Sequence, residues 1–304
     1  MIMGPAATGN GLRVGLVGIG IMGTAYANNL RAGGFAVSGW DIDAGRMKAL
    51  DELGGLPGTS IAEVVASSDV VLSALPSTAA LVEAVEGPKG VLAGAHPGLV
   101  FVEMSTFPLA AKEAAKEILH PAGVSVVDAP VSGTGAQAAD ADIVIYASGE
   151  ASAIAQVAPV FDAIAKATHD LGPFGNGSKM KYVANLLVSV HNLATAEAFV
   201  LGMKAGLDPQ QILDVIVPGA GNSKILELRG PMMVANDYRE ASARLKMFIK
   251  DISVIKEFAE GIDVPTPLLD ASLPFYEEGV TAGLGELDAA VLCRLLENKA
   301  GLER

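Results

Sequence analysis

The chain has 304 residues, of which 51% are hydrophobic and 18% are charged, so it is long enough for one large or two ordinary domains with substantial cores. Its net charge of −13 includes no cluster of lysine and arginine, which argues against nucleic acids and anionic membrane surfaces as partners. Cys293 is the single cysteine, so no disulfide forms within the chain, and this favours a reducing, cytoplasmic location.

Residues 1–11 lack the basic and apolar regions of a signal peptide, and we predict that they form a flexible tail. Further along, glycine, proline or charged residues interrupt the apolar runs before these reach the roughly 18 residues that a membrane span needs. The sequence therefore predicts a soluble protein with no membrane partner.

Up to about residue 170, short β-branched segments alternate with segments of helical periodicity. Strands separated by helices of this length predict parallel βαβ units with right-handed crossovers. The strand segments are apolar almost throughout, as expected for a sheet covered on both faces. The predicted strands are 13–19, 36–42, 70–75, 99–105, 124–131 and 142–149, and the helical segments between them include 25–33, 44–53, 60–68, 79–85 and 108–119.

After Gly175 the pattern is helical, with breaks at proline and glycine. The predicted helices are 178–205, 209–217, 222–234, 241–261, 266–278 and 286–299. We therefore predict an α/β fold class, with a doubly wound parallel sheet of the Rossmann type at residues 12–174. An all-α domain at residues 175–304 follows, and its first helix is a long one that connects the two domains.

A glycine-rich segment, Gly18-x-Gly20-x-x-Gly23, lies directly between the first predicted strand and the first predicted helix. The first glycine of such a loop makes the turn, the second lets the backbone approach a pyrophosphate, and the third allows close packing of helix and strand. The helix N-terminus then faces the anion. A tight turn of small residues is the alternative, but the strand, the helix and a downstream acid together favour a dinucleotide site.

That acid is Asp41, at the end of the second predicted strand. A carboxylate there accepts both hydroxyls of an adenosine ribose and repels a 2′-phosphate, so we expect NAD rather than NADP. The alternative role for Asp41 is a helix N-cap, which Asp43 could also provide.

Six motifs then occur in an order that resembles the β-hydroxyacid dehydrogenase family, relatives of 3-hydroxyisobutyrate and 6-phosphogluconate dehydrogenases. They are GIGIMG (18–23), ALPS (74–77), VEMST (102–106), DAPVSGT (128–134), GNGSKMKYVAN (175–185) and FIKDI (248–252). Within that family the chain is most similar to the L-threonate dehydrogenase-like branch, through the stretches 136–149, 191–209 and 219–233. The resemblance covers nearly everything from Arg13 onward.

The resemblance implies a set of site residues. Those expected to contact the cofactor are Gly18, Ile19, Gly20, Ile21, Met22, Gly23, Asp41, Leu75, Pro76, Thr106 and Lys250. Those expected to contact the substrate are Ser132, Gly133, Thr134 and Lys250, with Lys181 and Asn185 catalytic. The chain departs from the family at Thr134, where a glycine is usual, at Ala184, where an asparagine is usual, and at Ala80, where a polar cofactor contact is frequent.

Lys181 and Asn185 share a helix face. At about 100° per residue, Asn185 lies about 40° from Lys181, whereas Lys179 lies about 200° away and should face water. Surface charge is the simpler interpretation of Lys181 alone, but the glycine loop and the resemblance favour a role beside the nicotinamide at the domain cleft. Lys250 has its own alternative, a solvated charge paired with Asp251.

These residues predict an NAD-dependent oxidoreductase that transfers a hydride between nicotinamide and a small hydroxy acid, either tetronate/threonate-like or 3-hydroxyisobutyrate-like. Lys181 would act as general acid or base, and Asn185 would hold the hydroxyl or carboxylate. The histidines lack metal-ligand spacing, so no metal site is predicted. The resemblance also implies a homodimer or homotetramer formed through the helical domain.

Two alternatives remain. One is an imine reductase-type enzyme on the same scaffold, which Lys181 argues against, because related imine reductases do not carry this lysine. The other is a non-catalytic dinucleotide-binding scaffold protein, for which loss of Lys181 or Asn185 would have been expected.

Overall fold

A computed structural model describes residues 11–304, so the predicted tail lies outside the described residues except for Gly11. The strands are β1 Arg13–Val17, β2 Ala36–Trp40, β3 Leu56–Pro57, β4 Val70–Ser73, β5 Val100–Glu103, β6 Ser125–Asp128, β7 Val131–Ser132, β8 Val144–Ala147 and β9 Ala167–Asp170. The helices are α1 Ile21–Ala32, α2 Ala44–Glu52, α3 Ile61–Ala66, α4 Thr78–Glu86, α5 Val91–Gly94, α6 Leu109–Leu119, α7 Gly135–Ala139, α8 Ala151–Ile164, α9 Asn176–Lys204, α10 Pro209–Ile216, α11 Lys224–Ala235, α12 Leu245–Glu260, α13 Pro267–Thr281 and α14 Leu292–Ala300. Contacts divide this chain into two compact units, one ending at Lys181 and the other spanning Tyr182–Arg304.

The main sheet of the first unit confirms the predicted parallel architecture. Its strands run in the order β3-β2-β1-β4-β5-β6, and every pairing among them is parallel. The chain order reverses between β1 and β4, with Val14 paired to Val37 on one side and to Val70 on the other. In such sheets ligands bind outside the carboxyl ends of the strands at this reversal. The predicted glycine loop follows β1 and therefore lies at that point.

Both faces of this sheet are buried, which explains the continuous apolar strands. Val70 and Leu72 of β4 pack into one hydrophobic cluster, whereas Val71 packs into another on the opposite face. Successive strand residues point to opposite faces, so each face has its own core.

The sixth predicted strand, 142–149, is not part of the main sheet. It forms β8 in a second sheet, where β7 pairs with it antiparallel and β9 pairs with it parallel. β3, β7 and β9 were not predicted as separate strands. β3 and β7 have two residues each, and β9 is the polar segment Ala167–Asp170, so none shows the apolar pattern of a central strand.

Polar residues at the helix starts explain several of the boundaries. The side chains of Asp43, Ser60, Ser77, Asp208 and Ser223 each accept a backbone N–H from the first turn of α2, α3, α4, α10 and α11, respectively. Such caps satisfy N–H groups that have no partner inside the helix.

The second unit is helical, and one face of α9 contributes to its core. Phe199 of α9, Tyr276 of α13 and Leu292 of α14 belong to one buried cluster. By length and composition alone, α9 is apolar enough to cross a membrane, a test that core helices of soluble proteins also pass. Asn192 is fully buried in α9, and its Nδ2 donates to Tyr276 Oη (3.2 Å). A buried polar contact of this kind is expected of a helix in a protein core.

Candidate functional site

The three glycines of the loop between β1 and α1 differ in why glycine is needed at each position. Gly18 has φ of +89°, and a Cβ there would lie 2.4 Å from the carbonyl oxygen of Ala74. A Cβ on Gly23 would lie 2.1 Å from the carbonyl oxygen of Gly18. At Gly20, by contrast, the nearest atom to a Cβ is 3.9 Å away on Arg46, so a Cβ would meet no clash there. The loop therefore makes a turn at Gly18, packs at Gly23 and leaves Gly20 open for close approach of a ligand.

The start of α1 suits an anion. Gly20 occupies the N-cap, no side chain caps the helix, and its first turn carries no acidic residue. A cavity of about 450 Å³ adjoins this helix start, and its lining includes Gly20, Thr24, Asn28 and Arg46. N–H groups and the helix dipole at such a terminus favour a phosphate, so the residues present fit the pyrophosphate of a dinucleotide.

Asp41 closes this loop from β2. Its buried carboxylate accepts the backbone N–H of Ile19 (2.7 Å) and of Asp43 (2.9 Å). Asp43 caps α2, so the two acids have different roles, and Asp41 is not the cap. The guanidinium of Arg46 lies 3.3 Å from Asp41 Oδ2, and that arginine side chain is half exposed. Arg46 was not among the predicted site residues, although the sequence places it five residues after Asp41, in the first turn of α2.

A hydrogen bond joins the loops that follow β4 and β5, and a second one holds the β5 loop against its own strand. The N–H of Leu75 donates to Ser105 Oγ (3.0 Å), and the N–H of Ser105 donates to Glu103 Oε1 (2.9 Å). Leu75 and Thr106 are partly buried, while Pro76 is exposed. Both loops leave the carboxyl ends of neighbouring parallel strands, where α/β proteins bind ligands.

Ser132 lies at the end of β7, and the two residues after it have different backbone requirements. Gly133 has φ of +147°, and a Cβ there would lie 2.6 Å from Ile143, so this position requires glycine. Thr134 is the N-cap of α7 and forms a capping box with Gln137. The N–H of Thr134 donates to Gln137 Oε1 (3.0 Å), and its hydroxyl accepts the N–H of Gln137 (3.3 Å).

Thr134 thus has a structural role in addition to its predicted contact with the substrate. Its N–H and hydroxyl both take part in starting α7, and the substrate contact stays a prediction. The capping role follows from local sequence, because a threonine three residues before a glutamine is a capping-box pattern. This pattern was not among the predicted features.

The opening turns of α9 distinguish the two lysines. Lys179 is exposed, and its Nζ lies 3.3 Å from Asn176 Oδ1. Lys181, two residues later, is partly buried. One turn further along the same helix is Asn185, also partly buried. The exposure of the three side chains follows the helix faces expected from their spacing.

In the helical unit, Asp251 connects two of the predicted site residues. Asn185 Nδ2 donates to Asp251 Oδ2 (2.9 Å), and Lys250 Nζ lies 2.9 Å from Asp251 Oδ1. Lys250 thus makes the ion pair that sequence analysis gave as its alternative role, and its side chain is 44% exposed. The contact of Asp251 with Asn185 was not predictable from local pattern, because the two residues are 66 apart in the chain.

Comparison with protein families covers almost the whole described chain. The model described as the NAD binding domain of 6-phosphogluconate dehydrogenase matches residues 13–172. The model described as the NAD-binding domain of NADP-dependent 3-hydroxyisobutyrate dehydrogenase matches residues 175–296.

Individual relatives match over similar lengths. The chain is 35% identical to the L-threonate dehydrogenase of Cupriavidus necator, covering 92% of this chain and 94% of that one. It is 31% identical to the L-threonate dehydrogenase of an Escherichia coli O6:H1 strain, covering 95% and 96%. A solved structure of Mycobacterium tuberculosis 3-hydroxyisobutyrate dehydrogenase with L-serine superposes with a TM-score of 0.86 at 26% identity, covering 94% of this chain and 99% of that one.

Proposed function

Because the chain belongs to the β-hydroxyacid dehydrogenase family, we propose that Lys181 and Asn185 carry out the proton transfer and orientation steps of an NAD-dependent hydroxy-acid dehydrogenase. The enzyme transfers a hydride between nicotinamide and a small hydroxy acid. We assign dinucleotide binding to residues 12–174 and substrate binding and assembly to residues 175–304. The observation that carries the proposal is the glycine loop, which leaves the start of α1 without a side-chain cap. The same chain places Lys181 and Asn185 one turn apart on α9.

The bound nicotinamide supplies the site that accepts or donates the hydride, and the protein supplies the proton path and the geometry. When the alcohol is oxidised, Lys181 Nζ accepts its hydroxyl proton; in the reverse direction it returns that proton to the forming alkoxide. Asn185 donates from its amide to the reacting oxygen, and Asp251 holds the Asn185 side chain in place.

A pair of lysine variants tests this role. Lys181→Ala should lower kcat by about 10²–10⁴-fold, the range for general acid–base catalysis, because no other group then moves the proton. NAD affinity should stay nearly unchanged, since the dinucleotide loop is untouched. The measurement is the change in absorbance at 340 nm under saturating NAD, with NAD affinity determined separately by fluorescence titration.

Lys179→Ala is the matched control, because Lys179 is exposed and lies on another face of α9. It should change kcat little. Equal losses in the two variants would show that the helix face does not decide which lysine acts.

For the substrate, we propose a hydroxy acid of three to five carbons, threonate-like or 3-hydroxyisobutyrate-like. The names of the matching relatives and the similarity to the L-threonate dehydrogenase-like branch support this choice. The substrate carboxylate would lie against Ser132 and Gly133. Thr134 would shape that pocket through its methyl group and through the helix that it caps.

Methyl esters of the same acids test the carboxylate site. Each ester should react much more slowly than its acid, because a neutral group forms weaker hydrogen bonds than a carboxylate. L-threonate, 3-hydroxyisobutyrate and L-serine should be compared with their esters in kcat/KM. Esters that turn over as fast as the acids would rule out a carboxylate site on this loop.

We also propose that the protein is cytoplasmic, as its single cysteine favours, and that it assembles as a homodimer or homotetramer. The two alternative functions give different results in the same assay. An imine reductase would oxidise NADPH or NADH with a cyclic imine and leave hydroxy acids untouched. A scaffold protein would bind NAD without turnover of either class.

A further inference from the structure

The first turn of α9 is capped by residues that lie far away in the chain. Gly175 directly precedes the helix and has no side chain to offer its N–H groups. Instead, the N–H of Gly177 donates to Ser148 Oγ (2.9 Å) and the N–H of Ser178 donates to Asp128 Oδ2 (2.7 Å). Asp128 ends strand β6, so a carboxylate on the sheet does the work of an N-cap for α9.

Asp128 is fully buried and accepts hydrogen bonds at both oxygens. In addition to the N–H of Ser178, it accepts the Ser178 hydroxyl (2.8 Å) and the Ser148 hydroxyl (3.2 Å). Two of these donors come from one residue of α9. The first turn of α9 is therefore held at Ser178 by its main chain and its side chain at once.

A buried lysine stabilises this carboxylate. Lys112 Nζ lies 2.8 Å from Asp128 Oδ1, 2.7 Å from Glu103 Oε2 and 2.7 Å from the carbonyl oxygen of Ser105. Burial lowers the pKa of Lys112, but the charges of Glu103 and Asp128 outweigh this and raise it above its usual value. Lys112 therefore stays protonated. Removing one partner from such a cluster leaves a buried charge uncompensated.

The same cluster reaches the loops at the carboxyl ends of β4 and β5. The carbonyl oxygen of Ser105 accepts a hydrogen bond from Lys112 Nζ. Its hydroxyl oxygen accepts one from the N–H of Leu75, in the loop assigned to the cofactor. Ser178 lies three residues before Lys181, within one helical turn. One ionic cluster thus fixes both the start of the lysine-bearing helix and a loop beside the dinucleotide.

We propose that Asp128, held by Lys112, is a positioning residue for Lys181: by capping α9 at Ser178 it sets where the lysine amine lies relative to the reacting oxygen. This inference rests on the proposed role of Lys181. A positioning residue can have a large effect on kcat, because a misplacement of about 1 Å in a catalytic group lowers the rate about 10²-fold.

A double-mutant cycle between Asp128 and Lys181 tests the inference. Asp128→Asn keeps the size of the side chain but removes its charge and turns one acceptor into a donor. In the otherwise wild-type enzyme it should lower kcat by about 10–100-fold with little change in the KM for NAD. In the Lys181→Ala background it should lower kcat less than about twofold, because a residue that acts through Lys181 has nothing left to position.

The pH profile provides a second measurement. In Asp128→Asn the pH at which kcat is half-maximal should shift relative to the wild type, since the surroundings of the Lys181 amine change. Asp288→Asn is the matched control for stability, because Asp288 is also fully buried, pairs with an arginine and accepts backbone N–H groups. It should lower the Tm and leave the pH profile where it is.

Ser178→Ala is the second variant, and it serves if Asp128→Asn does not fold. It deletes one donor to Asp128 and keeps the N–H cap, so kcat should fall severalfold in the wild-type background and not in Lys181→Ala. All assays are made with the fastest of L-threonate, 3-hydroxyisobutyrate and L-serine, at a temperature where circular dichroism shows each variant folded.

The outcomes separate the two proposals. Full activity of Lys181→Ala would overturn the proposed function, and the inference with it. If Lys181→Ala is impaired but Asp128→Asn or Ser178→Ala lowers only the Tm, the inference alone is wrong. Equal losses from Asp128→Asn in both backgrounds would also overturn it, because the carboxylate would then act independently of the lysine.

Discussion

At the level of single residues, Asp41 has more partners than its place at the end of β2 indicates. Its carboxylate holds the N–H of Ile19, which fixes the glycine loop, and pairs with Arg46. A carboxylate at this position favours the ribose hydroxyls of NAD, whereas an adjacent arginine is the group that accommodates a 2′-phosphate. The two residues therefore act in opposite directions on cofactor preference, and the buried acid should dominate because it is anchored by the loop.

Two variants should move the cofactor preference in opposite directions. Asp41→Ala should narrow the ratio of kcat/KM for NAD over NADP, because it removes the negative charge that repels the phosphate. Arg46→Ala should widen that ratio about tenfold, equivalent to about 1.4 kcal/mol, because it removes the cation. Lys48→Ala, on the same helix but paired with Glu52, should leave the ratio unchanged. A wild-type enzyme with a lower KM for NADP than for NAD would contradict this role of Asp41.

At the level of secondary-structure elements, α7 begins at a residue where this chain departs from the family motif. The family usually has glycine where this chain has Thr134, and here the threonine caps a five-residue helix. The start of that helix packs against the glycine loop, since a Cβ on Gly135 would lie 2.3 Å from Ile21. The cap therefore stabilises an element that borders the dinucleotide site.

Replacing Thr134 should separate its capping role from its size. Thr134→Ala should destabilise the first unit by about 1 kcal/mol, whereas Thr134→Ser should be nearly neutral because it keeps the capping oxygen. The expected fall in Tm for the alanine variant is about 2–4 °C, measured by differential scanning calorimetry. Identical Tm values for the alanine and serine variants would mean that the hydroxyl does not stabilise α7.

At the scale of the whole molecule, α9 carries an apolar stripe that the described chain leaves exposed. Val183, Leu187 and Leu201 are 57%, 49% and 74% exposed, and Ala194 is exposed between them. At about 100° per residue, these four side chains fall within about 40° of one another over five turns. Such a stripe is typical of an interface between helices of two subunits.

The stripe predicts a homodimer or a larger assembly at micromolar concentration. Leu201→Glu should weaken that assembly, because it places a charge in the apolar stripe. Leu56→Glu is the control, since Leu56 is similarly exposed at 67% but lies on the edge strand β3. Multi-angle light scattering measures the mass of each. A monomeric wild-type protein would contradict the prediction.

Local pattern was enough to predict five of the six strands of the main sheet and the position of the glycine loop. Strands such as Val70–Ser73 are covered on both faces, and their continuous apolar composition predicts this burial. The glycine spacing and Asp41 were readable because the turn, the helix start and the acid are local features of a βαβ unit. The helical character of residues 175–304 was predictable from their periodicity and from the proline and glycine breaks.

Tertiary structure decided what depends on partners that are distant in the chain. Strand 142–149 joined a second sheet because its pairing partners are the short segments β7 and β9, which have no apolar pattern of their own. The contacts of Asn185 with Asp251 and of Asp128 with Ser178 span 66 and 50 residues. The sequence indicates that a buried polar residue needs a hydrogen-bond partner, but it does not identify that partner. The partner is determined only when folding brings distant strands and helices together.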